Sequence, residues 1–175
     1  IMETKPLKLN IGSGRKKFDG FINLDINQNI GSNGVKMVDI IIDIEKEKLP
    51  FEDNSVEEIL VDAVLEHLGD GFIFFLNECH RVLKPNGIIS GEVPLANTNG
   101  ALRDVTHKRV FVRESFSYLC GVNEANPAQP SHPRYANYGI KPWYLLYLEC
   151  CGSIHFKMQP RKTIEVDNKI ITVQI

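Results

Sequence analysis

Residues 7–26 read LKLNIGSGRKKFDGFINLDI: an apolar run, two glycines around a serine, and a second apolar run closed by an acid. Each run has the length of a short strand and is bounded by turn-forming residues. Only Arg15 to Gly20 separate the second glycine from the next run. A crossover that carries a full helix needs about ten to twelve residues, so this one is expected to hold at most one helical turn. A glycine turn after a strand lets a ligand come close to the backbone, because no side chain intervenes. A dinucleotide fingerprint would place a third small residue three positions after Gly14, where the chain has Lys17, and a phosphate loop would need Gly-Lys-Ser/Thr, which is absent. The loop therefore suits a ligand without phosphate. Asp25 ends the second strand, beside the glycine loop in a doubly wound sheet, where a carboxylate can accept both hydroxyls of a ribose. The same residue can also serve as an ordinary strand-end cap.

The rest of the first half continues the pattern. Met37–Ile42 is rich in β-branched residues and reads as a third strand, and Glu58–Val61 reads as a fourth. Asp43, after the third strand, falls at the same edge of the sheet as Asp25. Gly71–Lys84 has apolar residues at helical spacing and is stopped by Pro85-Asn86-Gly87, after which Gly87–Val93 reads as a fifth strand. Short apolar runs alternating with a helix predict a mostly parallel sheet covered by helices on both faces. Beyond Pro94, residues 95–109 read as a long loop, Arg113–Cys120 as a short helix and residues 121–137 as a Pro-, Asn- and Ala-rich stretch. Trp143–Cys151 is expected to be helical. Ile154–Met158 and Thr163–Val173 are expected to close the sheet as an antiparallel hairpin, with a turn at Asp167-Asn168.

The chain has 175 residues, 43% hydrophobic and 24% charged, with a net charge of −2. That length suffices for one domain over 7–175 with its own core. The near-neutral charge gives no electrostatic reason to expect nucleic acid or an anionic membrane as partner. No stretch approaches the roughly 18 apolar residues of a membrane helix, and the opening residues do not read as a signal segment. The four cysteines, Cys79, Cys120, Cys150 and Cys151, form no Cys-x-x-Cys, and reduced, mostly buried thiols in a cytoplasmic protein are expected. No metal-ligand spacing stands out among the five histidines, so no metal is expected.

Taken in order, LNIGSG, GFINLD, DIEKEKLPFEDNSVEEI, VLEHL and ECHRVLKPNG resemble the class I S-adenosylmethionine-dependent methyltransferases, and most nearly a type 11-like subgroup with a shortened first crossover. The resemblance spans residues 7–119. It implies a Rossmann-like α/β fold with a C-terminal antiparallel hairpin, a cofactor-binding half over 7–94 and a substrate side over 95–175. It also implies S-adenosylmethionine as cofactor. By the resemblance, Gly12, Ser13 and Gly14 would line the methionine part, Asp25 would hold the ribose, Asp43 and Ile44 would meet the adenine, and Ala63 and Val64 would face the sulfonium. Asn10 stands before the loop, where the wider class carries an acid at the cofactor's amino group.

For chemistry, the candidates are His67 in LEHL and the segment Arg103–Arg109, which resembles an Asp-x-Thr-His segment of the same family. Asp104 and His107, three apart, are expected to pair by a hydrogen bond, with the imidazole turned to the substrate as a base; a loop held by those bonds is the plainer alternative. Tyr135, Tyr138, Trp143, Tyr144 and Tyr147 would either wall a substrate pocket or fill a core. The expected activity is methyl transfer to a small molecule, a sugar or other metabolite. A non-catalytic binding module and a nicotinamide-dependent oxidoreductase are the rivals. The oligomeric state is left open, a homodimer included.

Overall fold

The structure, a computed structural model, describes residues 5–32, 34–121, 135–166 and 169–172. Strands β1 (Lys8–Ile11), β2 (Ile22–Asp25), β3 (Ile40–Ile41), β4 (Val56–Asp62), β5 (Leu83–Pro94), β6 (Trp143–Cys151) and β7 (Ser153–Pro160) form one sheet. Their spatial order is β3-β2-β1-β4-β5-β7-β6. The first five are parallel, and β7 runs antiparallel to both of its neighbours. The expected Rossmann-like sheet is present, with the five strands predicted in the first half of the chain in their places.

Register decides where the core lies. Ile22, Leu9, Ile59, Ile89, Met158 and Leu145 are partners across six strands and so share one face. Helix α1 (Phe72–Val82) lays Phe72, Phe75, Leu76, Cys79 and Val82 into the same buried cluster. Helix α2 (Asn99–Leu102) is a single turn within the loop that follows β5. Helix α3 (Arg113–Cys120) adds Phe116, Leu119 and Cys120 to the cluster, and Phe116 stacks on Phe156 of β7 at 4.5 Å between ring centres. No described helix is long and apolar enough to cross a membrane.

The opposite face is different. Its rows run Asn23, Asn10, Leu60, Ser90, Lys157, Tyr147 and, one step on, Asp62, Glu92, His155, Glu149. From β4 onward these residues are half-buried or exposed. Helices on both faces were expected; the described helices cover one. The reason lies in the connections. Residues 12–21 contain turns but no helix, as their length requires, and the described residues between β2 and β3 contain none either.

The short first crossover is held instead by two buried asparagines. The Asn10 side chain donates to the Lys16 carbonyl at 2.8 Å and to Asn23 Oδ1 at 2.9 Å. Asn23 Oδ1 also accepts from the Phe18 amide, and its NH2 group donates to the Phe21 carbonyl and to Asp39 Oδ2. Asp39 in turn takes a hydrogen bond from Lys17 Nζ at 2.7 Å. Backbone groups that a helix would have satisfied internally are thus satisfied by side chains.

Two expectations for the second half are corrected. Trp143–Cys151 is a strand, not a helix: its aromatic residues suit a pleated surface, and Gly152, at φ +74°, turns it straight back along β7. The hairpin that closes the sheet is therefore 143–160. Strands β8 (Thr163–Val166) and β9 (Lys169–Thr172) pair with each other as a separate two-stranded sheet; the expected turn at Asp167-Asn168, and Val173, lie outside the described residues. The register of β6 shifts between Leu145 and Tyr147, which leaves Leu146 as an unpaired bulge residue. Cys79 and Cys120 are buried as expected, whereas Cys151 is exposed.

Two outcomes follow. Gly91 sits in β5 where an added Cβ would collide with the Val61 carbonyl, so Gly91→Ala should cost about 1–3 kcal/mol, read from urea unfolding. For Asp39, burial pushes the pKa up, but the hydrogen bonds from Lys17 and Asn23 overcome it and hold the carboxyl at about 2, below its ordinary 3.8. A depressed folded pKa gives stability that is present above pH 4 and lost as pH falls through about 2. Asp39→Asn should therefore be less stable than the parent at pH 7, by no more than about 1 kcal/mol for so exposed a pair, and the gap should shrink between pH 4 and pH 2.

Candidate active site

Strands β1, β2 and β4 end at one edge of the sheet, and the turns that leave them frame a hollow of about 320 Å³. Gly12 leaves β1 at φ +69°, and any Cβ there would run into Cγ2 of Val64. Glycine is thus required both for the turn and for the close approach of the two segments. The Gly14 amide donates to Asp25 Oδ2 at 2.8 Å and the Asn27 amide to Oδ1 at 2.9 Å. These two donors fix the Asp25 carboxylate at the rim. Asp43 accepts from Lys46 Nζ at 2.7 Å and from the Glu45 amide at 3.1 Å. The Lys46 hydrogen bond is the main cause that holds its carboxyl below the usual range.

Of the residues singled out in the sequence, Gly12, Asp25, Asp43, Ile44, Ala63, Val64 and His67 all line this hollow. Asn10, Ser13 and Gly14 do not. Asn10 is only 3% exposed and its amide is spent on the crossover. Ile26, Ile42 and Leu68, which the sequence reading did not single out, supply apolar wall. Glu45 closes one end: its carboxylate takes the amides of Gly69 and Gly71 and, at 3.1 Å, Lys108 Nζ.

A second hollow, of about 330 Å³, lies against the first. Ala63 occupies the left-handed region at φ +52° and donates its amide to the Glu92 carbonyl. A non-glycine residue in that region is uncommon, and here it turns the chain from β4 into the 3-10 turn Leu65–His67. The turn brings Glu66 and His67 to the second hollow, where Glu92, Arg103, Asp104 and His107 join them. Ala63 and His67 line both hollows. The 104–109 segment is held in place because Lys108 and Arg109 donate their amides to the Glu66 carbonyl, and the Arg109 guanidinium donates to the carbonyls of Leu68 and Gly69.

The hydrogen bonds fix the two imidazoles. Thr106 donates its hydroxyl to Asp104 Oδ1 at 2.7 Å, so the 3.1 Å contact between Thr106 Oγ1 and His67 Nδ1 has the imidazole as donor. His107 Nδ1 lies 3.0 Å from the Ala101 carbonyl and donates to it. In the neutral form both rings therefore keep an unprotonated Nε2, and the rings stand edge to face with centres 4.8 Å apart. The expected Asp104–His107 hydrogen bond is not made: His107 Nε2 is 3.8 Å from Asp104 Oδ2. Asp104 acts on His67 instead, through Thr106. Glu66 is 1% exposed, its Oε2 has no hydrogen-bond partner, and burial pushes its carboxyl above the ordinary range. Its place beside His67 in LEHL was the signal that the sequence reading passed over.

The aromatic cluster does not wall this site. Trp143 is fully buried against His80, Tyr144 lies under Arg161, and Tyr147 is on the edge strand beside Glu149. Tyr138 lines a separate apolar hollow of about 600 Å³ between α1 and α3, which contains none of the acids or imidazoles above. The side chain of Tyr135 lies outside the described residues.

Residues 22–90 match the family model described as a methyltransferase domain. No curated protein matches the chain. Solved structures do. One is the complex between the Haloferax volcanii Trm112 methyltransferase activator and a methyltransferase, 13% identical, with a TM-score of 0.60, over 90% of this chain and 84% of that one. Another is the Burkholderia thailandensis 1,6-didemethyltoxoflavin-N1-methyltransferase with 1,6-didemethyltoxoflavin and S-adenosylhomocysteine, 11% identical, TM-score 0.58, covering 89% and 72%. A third is a SAM-dependent methyltransferase from Archaeoglobus fulgidus, 16% identical, TM-score 0.56, covering 88% and 86%. Identities this low speak for the fold. The chain shares the Rossmann-like fold of these methyltransferases, and the residues that match the methyltransferase-domain model run from β2 into β5.

Proposed function

We propose that the protein transfers a methyl group from S-adenosylmethionine to a small-molecule acceptor, with the cofactor in the first hollow and the acceptor in the second. The observation that carries this reading is the shared wall: Ala63 and His67 line both hollows. The residues of the first hollow fit a nucleoside without phosphate. Gly12 leaves a cradle that a Cβ would fill, Asp25 offers a fixed carboxylate for ribose hydroxyls, and Asp43 with Ile44 stands where an adenine edge would be read. Lys17 stands where a dinucleotide loop wants a third small residue, and its ammonium is bonded to Asp39, which weighs against a nicotinamide cofactor. A small acceptor is in keeping with the Burkholderia enzyme, whose bound acceptor is itself a small molecule.

S-adenosylmethionine, when bound, supplies a methyl already activated on sulfonium, so the chain has mainly to seat a nucleophile beside it and exclude water. In this reading the acceptor's nucleophilic atom is held, and loses its proton, at the face formed by Glu66, His67 and His107. Asp104, through Thr106, is a positioning residue that fixes which nitrogen of His67 faces the acceptor.

Calorimetric titration with S-adenosylhomocysteine, with NAD as comparison, tests the cofactor assignment: the first should bind and the second should not. Asp25→Ala should weaken S-adenosylhomocysteine binding by about 1–3 kcal/mol, and unchanged affinity in a folded variant would remove the ribose role. With an acceptor found by screening for methyl transfer, His107→Ala should lower kcat by about 10²–10⁴-fold while S-adenosylhomocysteine affinity stays near the parent's. Cofactor binding without turnover on any acceptor would favour a non-catalytic module.

A further inference from the structure

We propose that Glu66, His67 and His107 bind a divalent first-row transition-metal ion at the acceptor end of the site. The inference concerns binding by these three side chains; only the ion's role in methyl transfer rests on the function proposed above.

The argument begins with electron pairs. One carboxylate and two imidazoles offer ligand atoms that all lie within 4.8 Å of one another. The Nδ1–H of each ring points away, to the Ala101 carbonyl and to Thr106, so the Nε2 lone pairs are what the rings present. Glu66 adds a buried carboxylate oxygen with no donor to meet it. Electron-pair donors gathered this closely, one of them a buried oxygen without a partner, are stabilised when a cation, a proton or a metal ion, sits between them.

The surroundings have the character of a metal site as well. A metal-bound histidine almost always donates its second nitrogen to a carbonyl or a carboxylate, which fixes ring and tautomer. His107 does so directly and His67 does so through the Thr106–Asp104 relay. The His107 side chain is 9% exposed, and the cluster opens onto a hollow with room for further ligands. Two imidazoles and one carboxylate favour zinc, iron, cobalt or manganese over magnesium and calcium, which prefer all-oxygen sites. Ligand atoms on a tetrahedral ion stand about 3.3 Å apart, so the side chains must draw in by on the order of 1 Å.

An ion held here would leave open positions toward the acceptor. A coordinated acceptor hydroxyl becomes more acidic. Its proton passes to solvent, its oxygen forms the new bond to the methyl carbon, and the carbon–sulfur bond breaks with its electron pair left on sulfur as a thioether. The imidazole lone pairs are then ligands and take no proton.

The test uses the full chain, stripped with EDTA and titrated with Co²⁺ while visible absorption is recorded. The parent should take up one ion and gain visible ligand-field bands that excess Mg²⁺ does not remove. Glu66→Gln and His107→Ala should each lose at least about 100-fold in Co²⁺ affinity, while His155→Ala, at a surface histidine beside Glu92, should keep the parent's affinity. Far-UV circular dichroism reports folding, and if Glu66→Gln does not fold, His107→Ala carries the test. Absence of the bands, or binding that survives both substitutions, overturns the proposal. A parallel titration with S-adenosylhomocysteine separates the two readings: that ligand bound without Co²⁺ removes the metal alone, and Co²⁺ bound without that ligand leaves the metal site and removes the cofactor assignment.

Discussion

The hydrogen bond between Asn10 and Asn23 is the contact on which the site's geometry depends. A parallel pair of strands must be joined by a chain that returns from one end of the sheet to the other, and a helix ordinarily makes that return because it satisfies its own peptide groups. Here too few residues are available. The two amide side chains take over, bonding to Lys16, Phe18 and Phe21 across the crossover. This fixes the ends of β1 and β2 next to each other, which is what allows the Gly14 amide to reach Asp25. Asn10 thus has a scaffold role, and the carboxylate fixed at the rim of the hollow is that of Asp25.

The second constraint is the turn after β4. Ala63 adopts a backbone conformation that costs energy for any residue with a Cβ. That geometry is what moves Glu66 and His67 from the line of the strand to the boundary between two hollows. The segment 104–109 is then docked onto the turn by hydrogen bonds from the Lys108 and Arg109 amides to the Glu66 carbonyl, so that His107 comes to face His67. Two stretches nearly forty residues apart in sequence build one polar face.

What was legible in the sequence follows from what kind of force was involved. Strand positions were readable because burial imposes alternation, and the short crossover was readable because chain length sets a hard limit. Gly12, Asp25 and Asp43 could be placed because they sit at strand ends, where topology alone brings them together. The strand Trp143–Cys151 was misread because its pairing with β7, a tertiary matter, outweighs local periodicity. The uncovered face of β4 to β7 was written in the alternation of VEEILVD, but two-sided cover is so usual for parallel strands that the pattern was not used. The partnership of Asp104 with Thr106 rather than His107, and the inward turn of Glu66, depend on dihedral angles that no spacing rule encodes.

The bulge in β6 has a consequence beyond the chain itself. This strand forms one border of the seven-stranded sheet, is nine residues long, and carries Leu146 and Tyr147 in exposed positions. A long, regular border strand of that kind is an invitation to strands from other molecules. Because the register slips between Leu145 and Tyr147, the outward peptide groups do not form one continuous ladder. An incoming strand can match one half or the other, each only a few residues long, and so the same irregularity that disturbs the hairpin guards the protein against growing edge to edge into an aggregate.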